Sequence, residues 1–243
     1  MDDFLIFGGR SSKDFHIHVE KIPTIQVPAR RIREEQIPGR NGVLHIDEGA
    51  YEPYTQAYEI YFRSPTKTSS DVAHDIKSWL MTGDICRRLE DSYDLHHYHM
   101  ATFKGPANIE NILGEYGRCK IDFICQPEAY AKGEEDLMVT SNPFVIQNRY
   151  CMPSTPLIKV NGTSAGSLYV GETILRIKSL SKDQPVYLDS ASLTAYSKSG
   201  NAFVNQNGNV YAPEYPKLYP GKTNISWDGG IVYLEVKPRW WEL

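Results

Sequence analysis

The sequence predicts a mainly β protein of two domains with a single helix. The apolar residues Tyr58, Ile60 and Phe62 alternate with outward-facing neighbours, which is the period of a strand with one buried face. Beyond about position 145 the strand-like runs are short and are separated by turn residues, which is typical of an antiparallel sandwich. The aromatic residues are 16 Tyr, 8 Phe and 4 Trp, and a predominance of tyrosine suits half-buried strands and protein interfaces.

Length and charge limit the possible functions. With 243 residues, 41% of them hydrophobic, the chain is long enough for two domains with cores of their own. The net charge of −4, from 26 basic and 30 acidic residues, lacks the positive footprint of a nucleic-acid-binding protein. No apolar run approaches the roughly 20 residues that a membrane-spanning helix needs. We therefore expect no sequence-specific nucleic acid and no membrane among its partners.

The segment 37–44 predicts the tip of a long β-hairpin. It contains two turn signals within a few residues, because Pro38-Gly39 suits the inner positions of one turn and Asn41-Gly42 tolerates positive φ at both centres of another. Residues 22–36 are predicted to be extended before this tip, and the aromatic strand 51–63 is predicted to return from it.

The predicted hairpin is rich in charge and in aromatic surface. Its arginines are neighboured by glutamates, so the mixed charge favours a solvated or inter-subunit strand face over a DNA site. A two-stranded arm cannot bury so much surface alone, so it needs a barrel or a neighbouring copy of the chain to close on. A long exposed edge would also invite pairing with another chain. We therefore predict a subunit contact near the following residues: Arg30, Arg31, Arg33, Pro38, Gly39, Arg40, Asn41 and Gly42.

One helix is predicted, from Asp71 to about Thr82, with Ser70 as its N-cap. Its apolar residues recur at helical spacing along one narrow face: Val72, Ile76, Trp79 and Leu80. Gly83 stands where a left-handed C-terminal cap is expected. Because the stripe is narrow, the helix is predicted to cover one open side of a sheet or barrel.

Strand-like runs return from 85 to 126 and are predicted to stop at Pro127. A charged, apolar-poor stretch then indicates a domain junction around 130–145. We predict an N-terminal domain of residues 1–138, completed by residues 238–243, and a C-terminal domain of residues 139–237. The strands predicted in the second domain are 157–160, 167–170, 173–177, 186–188, 193–196, 223–227 and 231–236.

The four cysteines predict neither a disulfide framework nor a zinc site, because no pair has CxxC spacing. Cys119 and Cys125 lie on one face of a predicted strand, about 20 Å apart and too far to bridge. We expect them in the core of a protein made in a reducing cytoplasm. No cofactor is expected.

Several stretches occur in a characteristic order: 37–42 followed by 51–63, then 78–83, 123–127, 142–143, 156–162, 187–190 and 218–224. In this order the chain resembles the distal tail proteins of bacteriophages with long non-contractile tails. The resemblance covers nearly the whole chain and depends on the order of the stretches, since no single motif is specific. Lys222 is a departure, because the family commonly has one residue fewer after the preceding Pro-Gly.

The resemblance implies a specific architecture and role. The N-terminal domain would be a ring-forming split β-barrel with one α-helix and a long β-hairpin, and the C-terminal domain a galectin-like antiparallel β-sandwich. The protein would form a homohexameric ring at the virion tail tip, after synthesis and assembly in the bacterial host cytoplasm. Its partners would be the tail tube protein, a tail-associated tip protein and receptor-binding proteins. It would be a structural hub and not an enzyme.

Two short motifs have alternative catalytic or metal-binding interpretations. Gly162 to Gly166 matches G-x-S-x-G, but a strand and not a helix is predicted after it, so a turn is favoured over a nucleophile at Ser164. His97 and His99 share a predicted strand face and could supply two metal ligands, but no third ligand is indicated, so a polar strand edge is favoured.

A second function remains open on the residues alone, namely a carbohydrate-binding module that contacts the host cell surface directly. Trp227, Trp240 and Trp241 could stack on sugars, although the last two are explained more simply as an anchor that buries the chain end. No paired aromatic and carboxamide set in the sequence indicates a sugar pocket.

Overall fold

The computed structural model describes residues 3–63, 66–113, 116–133, 137–200 and 202–243. They form two compact units, Met1–Ala129 with Leu243 and Tyr130–Glu242. The units divide between residues 129 and 130, which is the start of the predicted junction at 130–145 and lies before the predicted boundary between 138 and 139. Among the described residues no helix is long and apolar enough to span a membrane.

The first unit contains ten strands and one α-helix. Their bounds are β1 Leu5–Phe7, β2 Arg10–Ser11, β3 Ile17–Val19, β4 Arg30–Glu35, β5 Leu44–Tyr51, β6 Tyr54–Arg63, α1 Ser69–Met81, β7 Cys86–Asp91, β8 His97–Phe103, β9 Ile109–Leu113 and β10 Tyr116–Ala131, with a 3-10 turn at Ser12–Phe15. The main sheet has the order β2-β1-β7-β8-β10-β6-β3, and β9 also pairs with β10. This sheet curls into a half-barrel, as the predicted split barrel requires.

The longest strand pair, β6 with β10, forms the centre of this sheet. Cys119 lies opposite Ile60 and Ile121 opposite Tyr58, and all four face the core. Gly117 lies opposite Phe62, where an added Cβ would come within 2.4 Å of the Phe62 ring, so the glycine makes room for the aromatic side chain. The strand was predicted to stop at Pro127, but this is wrong because β10 continues to Ala131. Pairing with β6 ends at Cys125, so no ladder hydrogen bond to β6 is required of Pro127.

Helix α1 covers the core of the half-barrel. Its N-cap is Thr68 and not the predicted Ser70, because Thr68 and Asp71 form a reciprocal capping box. The predicted apolar face is confirmed, since Val72, Ile76, Trp79 and Leu80 are all buried. Trp79 Nε1 donates a hydrogen bond to the Phe7 carbonyl over 3.2 Å, which ties the helix to β1.

Arg87 stabilises the C-terminal end of the helix. Its guanidinium donates hydrogen bonds to the carbonyls of Trp79, Leu80 and Thr82 over 3.2, 2.6 and 2.7 Å. These carbonyls belong to the last turn, which lacks partners within the helix. The guanidinium carbon also lies 4.0 Å from the centre of the Phe7 ring. Gly83 follows with φ of 98°, after the C-cap residue Thr82, whose backbone is extended.

The second unit is an antiparallel sandwich. Its strands are β11 Leu137–Val139, β12 Phe144–Asn148, β13 Leu157–Gly162, β14 Gly166–Val170, β15 Thr173–Ile177, β16 Val186–Asp189, β17 Thr194–Ser199, β18 Ala202–Asn205, β19 Val210–Tyr211, β20 Gly221–Trp227 and β21 Ile231–Lys237. A further short strand near the chain end, β22 Trp241–Glu242, belongs to neither sheet of the sandwich. One sheet has the order β11-β21-β13-β16-β17-β18 and the other β12-β20-β14-β15-β19. Residues of both sheets, including Val160, Leu188, Leu168 and Ile225, share one buried core.

The chain end packs on the second unit. Trp240 is buried within its core, and Trp241 Nε1 donates a hydrogen bond to the Pro153 carbonyl over 3.0 Å. Arg239 pairs with Asp189 through two hydrogen bonds of 2.7 and 3.1 Å. Residues 238–243 were expected to complete the N-terminal domain, but residues 238–242 belong to the second unit.

All four cysteines are free thiols. Cys119 and Cys125 are buried in the first core, as predicted, and burial raises the pKa of their thiols to about 11 and about 12. Cys86 and Cys151 are exposed.

Candidate subunit interface

Residues 30–51, which we call the arm, form a two-stranded sheet of their own. Strand β4 pairs with β5, with Arg33 opposite Ile46 and Glu35 opposite Leu44. Neither strand pairs with any other strand in the part of the chain that the structure describes. All of β4 and most of β5 are exposed to solvent. The arm therefore has no buried face of its own.

The tip of the arm contains one of the two predicted turns. The Arg40 N–H donates to the Ile37 carbonyl over 3.1 Å and Gly39 has φ of 80°, which are features of a type II turn with proline at its first inner position. Gly42 also has positive φ, at 81°, but Asn41 does not. The predicted turn with positive φ at both Asn41 and Gly42 is therefore absent.

The returning strand of the hairpin is β5 and not the predicted strand 51–63. The aromatic strand β6 pairs with β10 and β3 in the main sheet, where Tyr58, Ile60 and Phe62 are buried. Of the two predicted ways to cover this aromatic surface, the barrel sheet covers it, and a neighbouring subunit is not required for it. The apolar surface that remains exposed in this region is aliphatic.

This aliphatic surface extends from the arm into residues 21–29, which we call the leading segment. Ile25 and Val27 of the leading segment are 90% and 84% exposed, and Ile32 of the arm is 46% exposed. Three further aliphatic residues of the same two segments are also exposed: Ile22, Ile37 and Leu44. The leading segment has no strand partner among the described residues. Exposed aliphatic side chains in such number on one stretch of chain are typical of a protein–protein interface.

Three of the four arginines predicted to lie at the contact are paired within the arm or directly beside it. Arg30 binds Asp47, Arg31 lies 2.7 Å from Glu52, and Arg33 lies 3.2 Å from Glu35. Hydrogen bonds to their carboxylate partners raise the pKa of Arg30 and of Arg31. Because these pairs are exposed, they contribute little to stability and serve mainly to neutralise charge.

Asp47 also shapes the arm. A hydrogen bond from the Gly49 N–H, followed by the bond from Arg30, lowers the pKa of its carboxyl group. Arg40, at the tip, has no ion-pair partner among the residues that the structure describes. It is therefore the one predicted arginine with a charge available to another molecule.

The two histidines considered as metal ligands have different partners. His97 Nδ1 lies 3.0 Å from Asp94, whereas His99 Nδ1 lies 3.2 Å from both the Tyr54 hydroxyl and the Glu128 carbonyl. Burial lowers the pKa of His99. Over the described ranges no group of three or more His, Cys, Asp or Glu side chains is arranged to hold a metal ion. Both histidines thus belong to local hydrogen-bond networks of β8.

The G-x-S-x-G stretch is a turn between two strands, as predicted. Gly162 ends β13 and Gly166 begins β14, so no helix follows Ser164. Gly230 packs against this turn, where an added Cβ would lie 2.1 Å from Ser164 Oγ. The stretch lacks the strand–turn–helix context of a hydrolase nucleophile.

No protein-family model matches the chain, and no curated protein is significantly similar to it in sequence. Solved structures are similar to it in fold. The Dit protein of phage SPP1, described as a hub of the adsorption apparatus in phages that infect Gram-positive hosts, aligns with a TM-score of 0.71 at 12% identity, over 98% of this chain and 99% of that one. The chain shares the fold of a phage hub protein.

Chains of the phage P2 baseplate in its activated conformation are also similar. The calcium form aligns with a TM-score of 0.57 at 9% identity, over 97% of each chain, and the strontium form with 0.54 at 8%, over 97% of this chain and 98% of that one. The alignments include both units, so the fold expected from the resemblance is confirmed.

Proposed function

We propose that this chain is a structural hub of a phage tail, and that six copies form a ring through their first units. The observation that carries the proposal is the end-to-end similarity in fold to the SPP1 adsorption-apparatus hub. The baseplate chains support the same role, since they also align over nearly their full length.

The arm and the leading segment supply the surface for the ring contact. Their aliphatic side chains are exposed, while the arginines beside them are neutralised by nearby carboxylates. An interface core is favoured by apolar area and disfavoured by unpaired charge. The contact therefore centres on the aliphatic residues, with Arg40, Asn41 and Gly42 at its edge. A head-to-tail contact that repeats by rotation closes into a ring.

The two faces of such a ring would bind different neighbours. The tail tube protein would bind one face, and a tail-associated tip protein and receptor-binding proteins would bind on the side of the second units. The role requires no catalysis, no cofactor and no membrane. The protein would be a component of the virion tail tip, after synthesis in the cytoplasm of the host.

Carbodiimide crosslinking of assembled tails tests the ring. Residues 22–63 contain carboxylates but no lysine, so a zero-length link from Glu35 or Glu48 must reach a lysine outside this region. We expect a ladder that ends at six copies, with links from the arm to a second copy. Tails built from a mixture of isotopically labelled and unlabelled chains identify the links between copies. A ladder that stops short of six, or no arm link between copies, contradicts the proposal.

A pair of variants tests the aliphatic surface. Ile32→Asp places a charge on the arm, whereas Ile174→Asp places the same charge on a strand of the second unit at nearly equal exposure, 46% against 42%. We expect the first variant to abolish the six-copy ladder and the second to retain it, because only the first charge enters the subunit contact. Equal ladders from both variants would show that the arm is not the contact.

A further inference from the structure

The second unit contains an open trough of about 1120 Å³. One wall is the turn between β14 and β15, around Glu172, and the other is the loop that contains Glu214 and Tyr219. The first residues of β20 form the floor. The Gly171 N–H donates to the Asn224 carbonyl over 2.8 Å, which fixes the first wall to the floor. The trough is thus built on sheet strands and is as large as typical small-molecule sites.

The polar side chains in the trough are not used by the fold. Glu172, Glu214, Lys217, Lys222 and Asn224 line it, and none of their side chains has a hydrogen-bond or ion-pair partner in the described part of the chain. Elsewhere in the same unit, charged groups such as Asp189 and Arg239 are paired. Polar groups that lie together on β20 and on the adjoining turn and loop without mutual pairing are available to a ligand.

The lining has the chemistry that a sugar requires. Tyr219, which is 59% exposed, offers an aromatic face, and Ile174 adds apolar surface. Carboxylates accept hydrogen bonds, lysine ammonium groups donate them, and a carboxamide such as that of Asn224 does both. A saccharide combines hydroxyls that donate and accept with apolar C–H faces that pack on aromatic rings. We propose that this trough binds a neutral oligosaccharide.

The charge balance of the trough favours a neutral ligand. Its two glutamates and two lysines cancel, so an anionic polymer would be attracted by one pair and repelled by the other. A neutral ligand can form hydrogen bonds with both pairs at no such cost. Ring assembly through the first unit does not depend on this site, so either property can fail while the other holds.

The proposal is tested first on an array of immobilised neutral and anionic oligosaccharides. Each oligosaccharide that binds the full-length chain on the array is then titrated into it by calorimetry. We expect saturable binding to at least one neutral oligosaccharide. Tyr219→Ala removes the aromatic face and Asn224→Ala removes the carboxamide, and each should weaken binding at least roughly tenfold. Both residues are exposed, so these variants are expected to fold.

Tyr211→Ala is the matched control. Tyr211 is the same residue type in the same unit, is also 59% exposed, and does not line the trough. Its replacement should leave the affinity unchanged. Three results would overturn the proposal: no saturable binding to any neutral oligosaccharide, binding to anionic ones alone, or equal losses from the Tyr211 and Tyr219 variants.

Discussion

Strand β6 pairs with β10 over ten residues and buries alternate side chains, whereas β4 and β5 form the arm and bury almost none. Both pairs are antiparallel and belong to the first unit. Phe62 on β6 is fully buried, while Ile32 on β4 is 46% exposed. The difference lies in what covers each pair: helix α1 and the curled sheet enclose one face of β6 and β10.

The comparison separates residues that stabilise the fold from residues that are available for assembly. Burial of a large apolar side chain stabilises a fold by roughly 1.5–3 kcal/mol, and the arm obtains almost none of this. Its exposed ion pairs do not replace that contribution. The arm therefore contributes little to the stability of the fold.

The largest expected effect is that of Phe62→Ala. It leaves a cavity in the first core and should lower the free energy of unfolding by about 3–5 kcal/mol. Ile32→Ala should lower it by less than about 0.5 kcal/mol, because the side chain is already solvated. Urea denaturation measures the free energy of unfolding of both variants. Amide hydrogen exchange in β6 and β10 shows whether the loss lies in this strand pair. Similar losses from the two variants would remove the distinction between core pair and arm.

Two arginines of the first unit, Arg87 and Arg30, are expected to differ in their contribution to stability. Arg87→Met removes three hydrogen bonds to the last turn of α1 and should lower the free energy of unfolding by about 2 kcal/mol. Arg30→Met removes an exposed ion pair and should leave the urea midpoint unchanged. The loss of stability at the end of α1 is measured by hydrogen exchange of the α1 amides and by the fluorescence of Trp79, whose carbonyl accepts a hydrogen bond from Arg87. An unchanged midpoint for Arg87→Met would show that the helix end does not need its guanidinium.

The smallest expected effect is a pH dependence of the second unit. Burial alone would raise the pKa of Asp189, but the hydrogen bonds and charge of Arg239 outweigh it and lower this pKa. A lowered folded-state pKa means that the stabilisation is complete above the unfolded-state value, about 3.9, and is lost as the pH falls through the folded-state value. The second unit should therefore lose stability below about pH 4.

Asp189→Asn should destabilise the second unit by about 1 kcal/mol at pH 7 and flatten its dependence on acid pH. Asp47→Asn is the control on the arm, since the pKa of this exposed carboxyl is also lowered but it contacts no core. Unfolding measured from pH 7 to pH 2 distinguishes the two. If the acid dependence persists in Asp189→Asn, a different group is responsible.

The elements with strong periodicity were predictable from the sequence. The apolar stripe of α1 and the alternation in β6 and β10 were correct because each has one buried face. Strands β11, β12, β18 and β19 were missed. In β18 all four residues are exposed, so no alternation indicates the strand. The N-cap was misplaced because Thr68 and Ser70 are both good caps, and only the reciprocal bond to Asp71 selects between them.

The candidate sites were less predictable, because they depend on which segments meet. The arginines of the arm were found from their clustering, but the pairing with Asp47 and Glu52 that neutralises them requires the hairpin register. Tyr219 and Asn224 are an aromatic and carboxamide pair that the sequence analysis did not recognise. They border one trough together with residues of the turn between β14 and β15, and their spacing in the sequence does not indicate this arrangement.

The distribution of the thiols has a practical consequence for labelling. A thiolate is the reactive form, so burial and a raised pKa protect Cys119 and Cys125 from maleimides at neutral pH. Cys86 on the first unit and Cys151 on the second are exposed. The chain thus carries one accessible attachment point on each unit, and a donor and acceptor dye pair placed there can report on both units without any substitution.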